Sequence, residues 1–282
     1  RRTISGPGGV ARGMSAGSGG RKDRIDRTDR TDYDAVVVGC GIVGLAIGAE
    51  LPARWPGLRL LMLEQEATVA THQTSHNSGV IHSGVYYAPG SLKAKLCVEG
   101  ASLLYDYCER RGIPYERCGK LIVARSEEEV PRLEELFRRA GENRVPGIRW
   151  IGADEIPEIE PGCVGVAAVH SPSTGIVDYA EVSRALASDL AEAGAEFRFS
   201  SKATRLRRNG ETTVVHLDSG AEITARYAIA CAGLWSDRLA EASGAPADPR
   251  ILPFRGAYLH LDLRGADARD IVRGMVYPVP DP

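Results

Sequence analysis

Six residues, Gly39-Cys40-Gly41-Ile42-Val43-Gly44, constrain this chain more than any others because of what flanks them. Ala35-Val36-Val37-Val38, just before, is a β-branched apolar run that reads as a buried strand. Just after, a helix begins whose small residues Gly44, Ala46 and Gly48 let it lie close on a sheet. A second strand, Leu58 to Leu63, ends at Glu64, 20 residues beyond Gly44. Each part has a mechanical purpose. Gly39 permits the tight turn, Gly41 lets a pyrophosphate reach the backbone, and Gly44 lets helix and strand touch. The helix start, with Ile42 and Val43 in its first turn, offers free N–H groups and a partial positive charge. Glu64, with Gln65 beside it, can accept hydrogen bonds from both ribose hydroxyls and would repel a 2′-phosphate. Glycines alone would mark only a turn. Strand, glycines, helix, strand and acid in this order predict an α/β, Rossmann-like unit that binds an adenine dinucleotide.

Composition narrows the rest. With 43% apolar and 26% charged residues the chain is ordinary for a globular protein, so its 282 residues suffice for one large domain or two. A net charge of -2 gives no reason to expect nucleic acid. No apolar run approaches the roughly 20 residues that span a bilayer. Peripheral contact with the inner face of a membrane stays open. The six cysteines contain no C-x-x-C pair and no metal-ligand spacing, so no metal is expected. Free thiols fit a reducing compartment, and a cytoplasmic enzyme is the expectation. Cys97 and Cys108 stand eleven apart on one predicted helix, hence on one face, and are expected in the core. Residues 1–32, rich in Gly, Ser, Arg and Asp, read as a disordered tail. Its first twenty residues resemble a transit peptide only faintly, and Met14 is an alternative start.

After Glu66 the chain does not proceed to another helix, as an NAD-binding unit would. A polar loop runs from Ala67 through Thr74-Ser75-His76-Asn77-Ser78-Gly79 to Val80 and on to Tyr87, dense in hydroxyls, amides and glycines. Such a loop suits a path along a cofactor. Ser91 is placed to cap a helix that Gly112 stops near Arg111. Lys93 and Lys95 fall in its first turn, where the helix dipole disfavours cations; Lys95 reads as solvated, while Lys93 suggests an anionic ligand nearby. Further strands are predicted at 120–124, 148–151, 164–170, 196–200, 212–217 and 221–225, and helices at 126–140 and from Tyr179 to about Gly194. Asp218-Ser219-Gly220 signals a hairpin. A separate buried strand from Tyr227 ends on Ala232-Gly233, small residues that let backbone approach the same cofactor. Ile251 to Leu261 reads as a strand with one embedded arginine.

Several of these stretches resemble a known family. The glycine fingerprint, Ala232-Gly233-Leu234-Trp235 and Pro253-Phe254-Arg255-Gly256 look like the D-amino-acid-oxidase-like FAD oxidoreductases. Within that group, the run from His76 to Tyr87 followed by Gly90-Ser91-Leu92-Lys93 is similar to L-2-hydroxyglutarate dehydrogenases/oxidases. Gly119 to Ala124 and Tyr277-Pro278-Val279-Pro280 carry the same resemblance, which covers about residues 33–282. Members of the family continue past that last segment, so the sequence reads as C-terminally truncated. The resemblance implies an FAD-binding domain from 33–115 and 176–248. It also implies an interleaved α+β substrate domain on a mixed or antiparallel sheet, from 116–175 and 249–282. The implied reaction is oxidation of L-2-hydroxyglutarate to 2-oxoglutarate, with electrons passed to a quinone or other acceptor. Oxidation of an amino acid or of glycerol 3-phosphate is the alternative, as is a non-catalytic flavin-binding fragment.

The flavin-contacting set expected on this basis is Gly39, Gly41, Ile42, Val43, Gly44, Glu64, Gln65, Thr74, Ser75, His76, Ser78, Gly79, Val80, Ala232, Gly233 and Trp235. For the chemistry, a base must take the hydroxyl proton and cations must hold the carboxylates. His82 suits the base, since imidazole titrates near neutrality, although it equally suits a hydrogen bond to the flavin or to a backbone carbonyl. His76 is the second candidate and His170 a weaker one, while His72, His216 and His260 read as structural or exposed. Arg255 is the expected carboxylate clamp, its apolar neighbours Phe254 and Tyr258 arguing against a solvated arginine. Tyr86, Lys93 and Tyr258 are further candidate contacts, and Lys93 with Arg255 would supply two cationic poles for a diacid.

Overall fold

β1 (Tyr33–Val38) forms because a β-branched run buried on both faces has no other stable home; every one of its residues is buried. The computed structural model describes residues 31–259 and 271–281. Most of the expected tail therefore lies outside the described residues. Its last two, Thr31 and Asp32, are instead held in place: Thr31 is buried, and the Asp32 carboxylate accepts from the Thr224 amide and hydroxyl.

From β1 the chain enters α1 (Ile42–Arg54) and returns through β2 (Leu60–Leu63). The long polar loop ends in β3 (Val80–Ile81), followed by α2 (Leu92–Arg111). The Ser91 side chain accepts from the Ala94 amide, and Gly112 takes the left-handed conformation that stops α2. Next come β4 (Tyr115–Glu116), β5 (Lys120–Ala124), α3 (Val130–Glu142), β6 (Arg149–Gly152), the short α4 (Ile156–Ile159) and β7 (Ala167–Ser171). β8 (Gly175–Val177) leads into α5 (Tyr179–Glu192). β9 (Glu196–Arg198), β10 (Ala203–Asn209), β11 (Thr212–Leu217), β12 (Glu222–Ala230), α6 (Ser236–Ala242) and β13 (Met275–Pro278) complete the described elements.

Three sheets result. The largest has the order β10-β11-β12-β1-β2-β9; β12, β1, β2 and β9 run parallel, while β10 to β12 form an antiparallel meander. Alternation along the strands builds two cores. Ala35, Val37, Leu60 and Met62 pack under α1 and α5 with Leu45 and Leu190, while Val36, Val38, Leu61 and Leu63 meet Val215, Ile223 and Leu239 on the other face. A second sheet, β13-β5-β7-β6, packs Ile122, Ala124 and Val169 against α3. A small third sheet, β3-β8-β4, joins the polar loop to the end of α2. The α/β class with a mixed second sheet is as expected.

Three differences are informative. The strands expected at 221–225 and from Tyr227 are one continuous β12, because parallel pairing with β1 and antiparallel pairing with β11 overlap at Ala225. β10 escapes sequence reading because its exposed polar residues Thr204, Arg205, Arg207 and Arg208, two on each side of Leu206, give no apolar alternation. Residues 251–259 form no strand: Phe254 and Leu259 are almost wholly exposed, and no described strand pairs with them. The apolar neighbours of Arg255 thus do not shelter it. The remainder of that expected strand, including His260, lies outside the described residues.

Candidate active site

β1, β2 and β12 all deliver their C-terminal ends to the glycine loop, the place where open parallel sheets bind ligands. The backbone leaves no room for side chains there. A Cβ at Gly39, whose φ is +103°, would collide with the Cys231 carbonyl, and one at Gly44 with the Gly39 carbonyl. The close approach is locked by the Cys231 amide donating to the Val38 carbonyl at 2.7 Å and the Gly39 amide donating to Leu63 at 2.7 Å.

α1 starts at this loop with no side-chain cap on Gly41 and no acidic residue in its first turn. The Ile42 amide donates to the Thr74 hydroxyl at 3.1 Å. The Val43 and Gly44 amides, in the same turn, have no intrahelical acceptor. Unopposed donors at a helix start favour an anion. Glu64 closes the other side. Its buried carboxylate accepts from the Cys40 amide at 2.7 Å and the Glu66 amide at 3.0 Å, which fixes its orientation and leaves further lone pairs for a ligand's hydroxyls. Burial, and secondarily Glu64, push the Cys40 thiol up to about 12, so it is inert in the loop.

Two cavities flank this point. One is lined by Gly39, Glu64, Gln65, Ala232, Gly233 and Trp235. The other opens past the start of α1 and is lined by Ile42, Val43, Gly44, Ser78, Val80 and His82. Thr74 borders both. Ser75 and Gly79 line an adjoining groove with Tyr179. His76 is exposed and turned inward on its own loop, its Nδ1 2.9 Å from the His72 carbonyl oxygen. Asn77 escaped notice because it is one amide among many. It shapes the loop, donating to the Thr74 carbonyl and accepting from the Gly79 amide at 2.7 Å.

His82 faces the second cavity on one side and protein on the other. Its side chain is exposed to that cavity, yet desolvation by the protein packed around it, and then the positive charge of Lys120, hold the imidazole below the ordinary 6.5, so it is neutral at physiological pH. Its loop is tethered at three points. The Ser83 hydroxyl bonds with those of Ser171 and Thr174 at 2.8 and 3.0 Å, all three buried. The Cys97 thiol donates to the His82 carbonyl at 3.2 Å, which places Cys97 at the site, whereas Cys108 is in the core as expected. The Asn143 amide at the end of α3 donates to the Gly84 and Tyr87 carbonyls at 3.0 and 2.9 Å.

The other expected contacts divide. Tyr86 is half-buried near His82, and burial pushes its hydroxyl up to about 12, so it remains a donor. Lys93 is exposed on α2, its ammonium 4.9 Å from the centre of the Tyr87 ring. Arg255 and Tyr258 lie in the exposed 251–259 stretch, with no hydrogen bond or ion pair to any described residue. His170 sits opposite Leu121 on β7, on the sheet face turned away from Lys120 and Ser171, so it is remote from the His82 side. Lys120, which drew no attention as the first residue of a strand, is buried beside Tyr86. Among the described residues no cluster of His, Cys, Asp or Glu could hold a metal, and no helix is long and apolar enough to cross a membrane. All six cysteines are free.

The sequence pattern of the FAD dependent oxidoreductase family, abbreviated DAO, matches residues 34–282. The chain belongs to this family. Its cofactor is FAD, and the crowded glycines of the loop, the unopposed amides of α1 and the oriented Glu64 fit the dinucleotide. Relatives include the human protein "L-2-hydroxyglutarate dehydrogenase, mitochondrial", 48% identical over 260 residues. That match covers 88% of this chain and 56% of the human one, so the chain spans little more than half of its relative's length. Among solved folds, the FAD-bound L-α-glycerophosphate oxidase of Mycoplasma pneumoniae superposes with a TM-score of 0.74 at 24% identity, over 88% of this chain and 65% of that one. Glycine oxidase from Geobacillus kaustophilus reaches 0.64 at 26% identity, over 74% of this chain and 58% of that one. These likenesses place the FAD-dependent oxidoreductase fold.

Proposed function

We propose that the chain is the cofactor-binding part, and one side of the substrate site, of an FAD-dependent dehydrogenase that oxidises L-2-hydroxyglutarate to 2-oxoglutarate. The observation that carries this reading is 48% identity along 260 residues to a protein of that name, in a chain of the FAD-dependent family. Residues 33–115 and 176–248 form the cofactor domain in this reading, and 116–175 with 249–282 contribute to the substrate domain. The division is supported by the separate sheets built from these stretches.

FAD, when bound, supplies the acceptor for the hydride that leaves C2 of the substrate. The chain's residues do the rest. Glu64 and the first turn of α1 hold the ribose and pyrophosphate ends. His82, neutral and open to the cavity beyond that turn, accepts the proton of the C2 hydroxyl as the carbonyl forms. The tethers from Ser83, Cys97 and Asn143 fix the backbone that carries it. Tyr86, as a hydroxyl donor, is a substrate contact, while the exposed Lys93, Arg255 and Tyr258 remain proposals for the outer side of the site. A quinone or another acceptor would take the electrons onward. The six free thiols support a reducing compartment.

The test is an anaerobic absorbance spectrum of the FAD-loaded protein before and after substrate. Bleaching by L-2-hydroxyglutarate, with the D-acid, glycine, proline and glycerol 3-phosphate silent, is the expected result. Bleaching by an amine or by glycerol 3-phosphate instead would replace the substrate while keeping the chemistry.

A further inference from the structure

The Lys120 side chain is buried, and among the described residues it has no counter-charge. It is 3% exposed, and no hydrogen bond or ion pair joins its ammonium to any described residue. Buried lysines are rare unless paired, because an ammonium taken out of water must recover its solvation from acceptors. Among the described residues two aromatic faces approach it, Tyr277 at 4.4 Å and Tyr86 at 5.2 Å from ring centre to ammonium, with the neutral thiols of Cys97 and Cys118 nearby. Cation–π contact compensates a desolvated charge only in part.

The position is set by the fold. Strand alternation puts Lys120, Ile122, Ser171 and Tyr277 on one face of the second sheet, which is the face toward Val85 and Tyr86. Ser171 holds Ser83, next to His82, and the charge of Lys120 is felt by both His82 and Cys97. The unpaired ammonium therefore stands on the wall behind the expected proton acceptor. Burial lowers its affinity for a proton, so at neutral pH the charged form costs the folded chain stability relative to the unfolded one. A costly charge kept at a candidate site calls for a ligand that completes it.

We infer that Lys120, framed by Tyr86 and Tyr277, binds a carboxylate of the substrate and selects an anionic, dicarboxylic hydroxy acid. This rests on the reading above that the substrate is such an acid. It moves the principal cationic pole from the exposed Arg255 and Lys93 to a residue that is already desolvated, where a charge-assisted bond is worth more.

Calorimetric binding of 2-oxoglutarate and of 2-oxobutyrate to the FAD-loaded full chain tests it, in the wild type, Lys120→Met and Lys120→Arg. Lys120→Met is expected to weaken 2-oxoglutarate roughly tenfold to a hundredfold. Its flavin spectrum stays unchanged and its Tm is equal or higher, since an apolar chain of similar volume replaces an unpaired charge. Lys120→Arg recovers part of the affinity. If the affinity for 2-oxobutyrate is spared, Lys120 takes the distal carboxylate, as the inference requires; if it falls equally, Lys120 takes the carboxylate next to C2 and the claim that it selects a diacid is overturned. Unchanged affinity in Lys120→Met, or a loss that follows a lower Tm in both variants, overturns the inference and makes Lys120 structural. A wild type that binds neither acid overturns the dicarboxylate reading itself, and the assignment of Lys120 with it.

Discussion

The glycine-loop end of the large sheet and the His82–Lys120 wall of the second sheet treat buried polar groups in opposite ways. At the glycine loop, the Glu64 carboxylate has two amide donors, the Ile42 amide has Thr74, and the strand ends are clamped by short backbone bonds. Around His82 the backbone is equally well tied, yet the side chains of His82 and Lys120 have no hydrogen-bond partner among the described residues. Lys120 has no anionic partner among the described residues, and His82 is neutral with room in front of it. The first region is complete as a receptor for a large, constant ligand. The second is poised for a small ligand that brings its own charge. A cofactor that stays can be met by a fully bonded frame; a substrate that must come and go is met by groups whose bonding it completes.

The comparison can be broken most severely at Gly44. In Gly44→Val the new side chain overlaps the Gly39 carbonyl, and we expect a cost of at least about 3 kcal/mol with no FAD retained on gel filtration. Retention of FAD at wild-type Tm would mean that the loop is not the rigid cradle described. Glu64→Gln is milder, because an amide can match only one of the two donors. FAD affinity measured by fluorescence quenching should fall roughly tenfold, while the affinity for 2-oxoglutarate of the FAD-saturated protein should not change. A loss of both would show that the two regions are one network. Smallest is Asn143→Ala, which removes two bonds to the loop after His82. It should lower the rate of flavin reduction several-fold, for about 1 kcal/mol of lost positioning, and leave FAD binding intact.

The same contrast explains what could be read from sequence. The glycine-loop region was legible because its parts lie in one short run, so spacing alone relates Gly39, Gly41, Gly44 and Glu64. The helix limits at Ser91 and Gly112 were legible for the same reason. The His82 wall draws on Ser83, Lys120, Asn143, Ser171 and Tyr277, and only folding brings these together. Lys120 is invisible in Gly119-Lys120-Leu121-Ile122-Val123, since a charge at the edge of an apolar strand ordinarily faces solvent. The surroundings of Arg255 were illegible for the converse reason: apolar neighbours suggest a buried strand, but 251–259 is exposed and finds no pairing strand among the described residues.

The central claim is that His82 is the neutral group that takes the hydroxyl proton, and the pH dependence of flavin reduction tests it most directly. Because burial and Lys120 lower its affinity for a proton, His82 is charged and inactive only in acid. Anaerobic stopped-flow reduction of the FAD-loaded protein by L-2-hydroxyglutarate should therefore rise with pH through a single ionisation below 6.5 and be flat above it. In His82→Gln the rate should drop by about two to four orders of magnitude and lose that ionisation, with FAD still bound. An unaltered profile in His82→Gln, or a wild-type rate that falls as pH rises toward neutrality, would contradict the account.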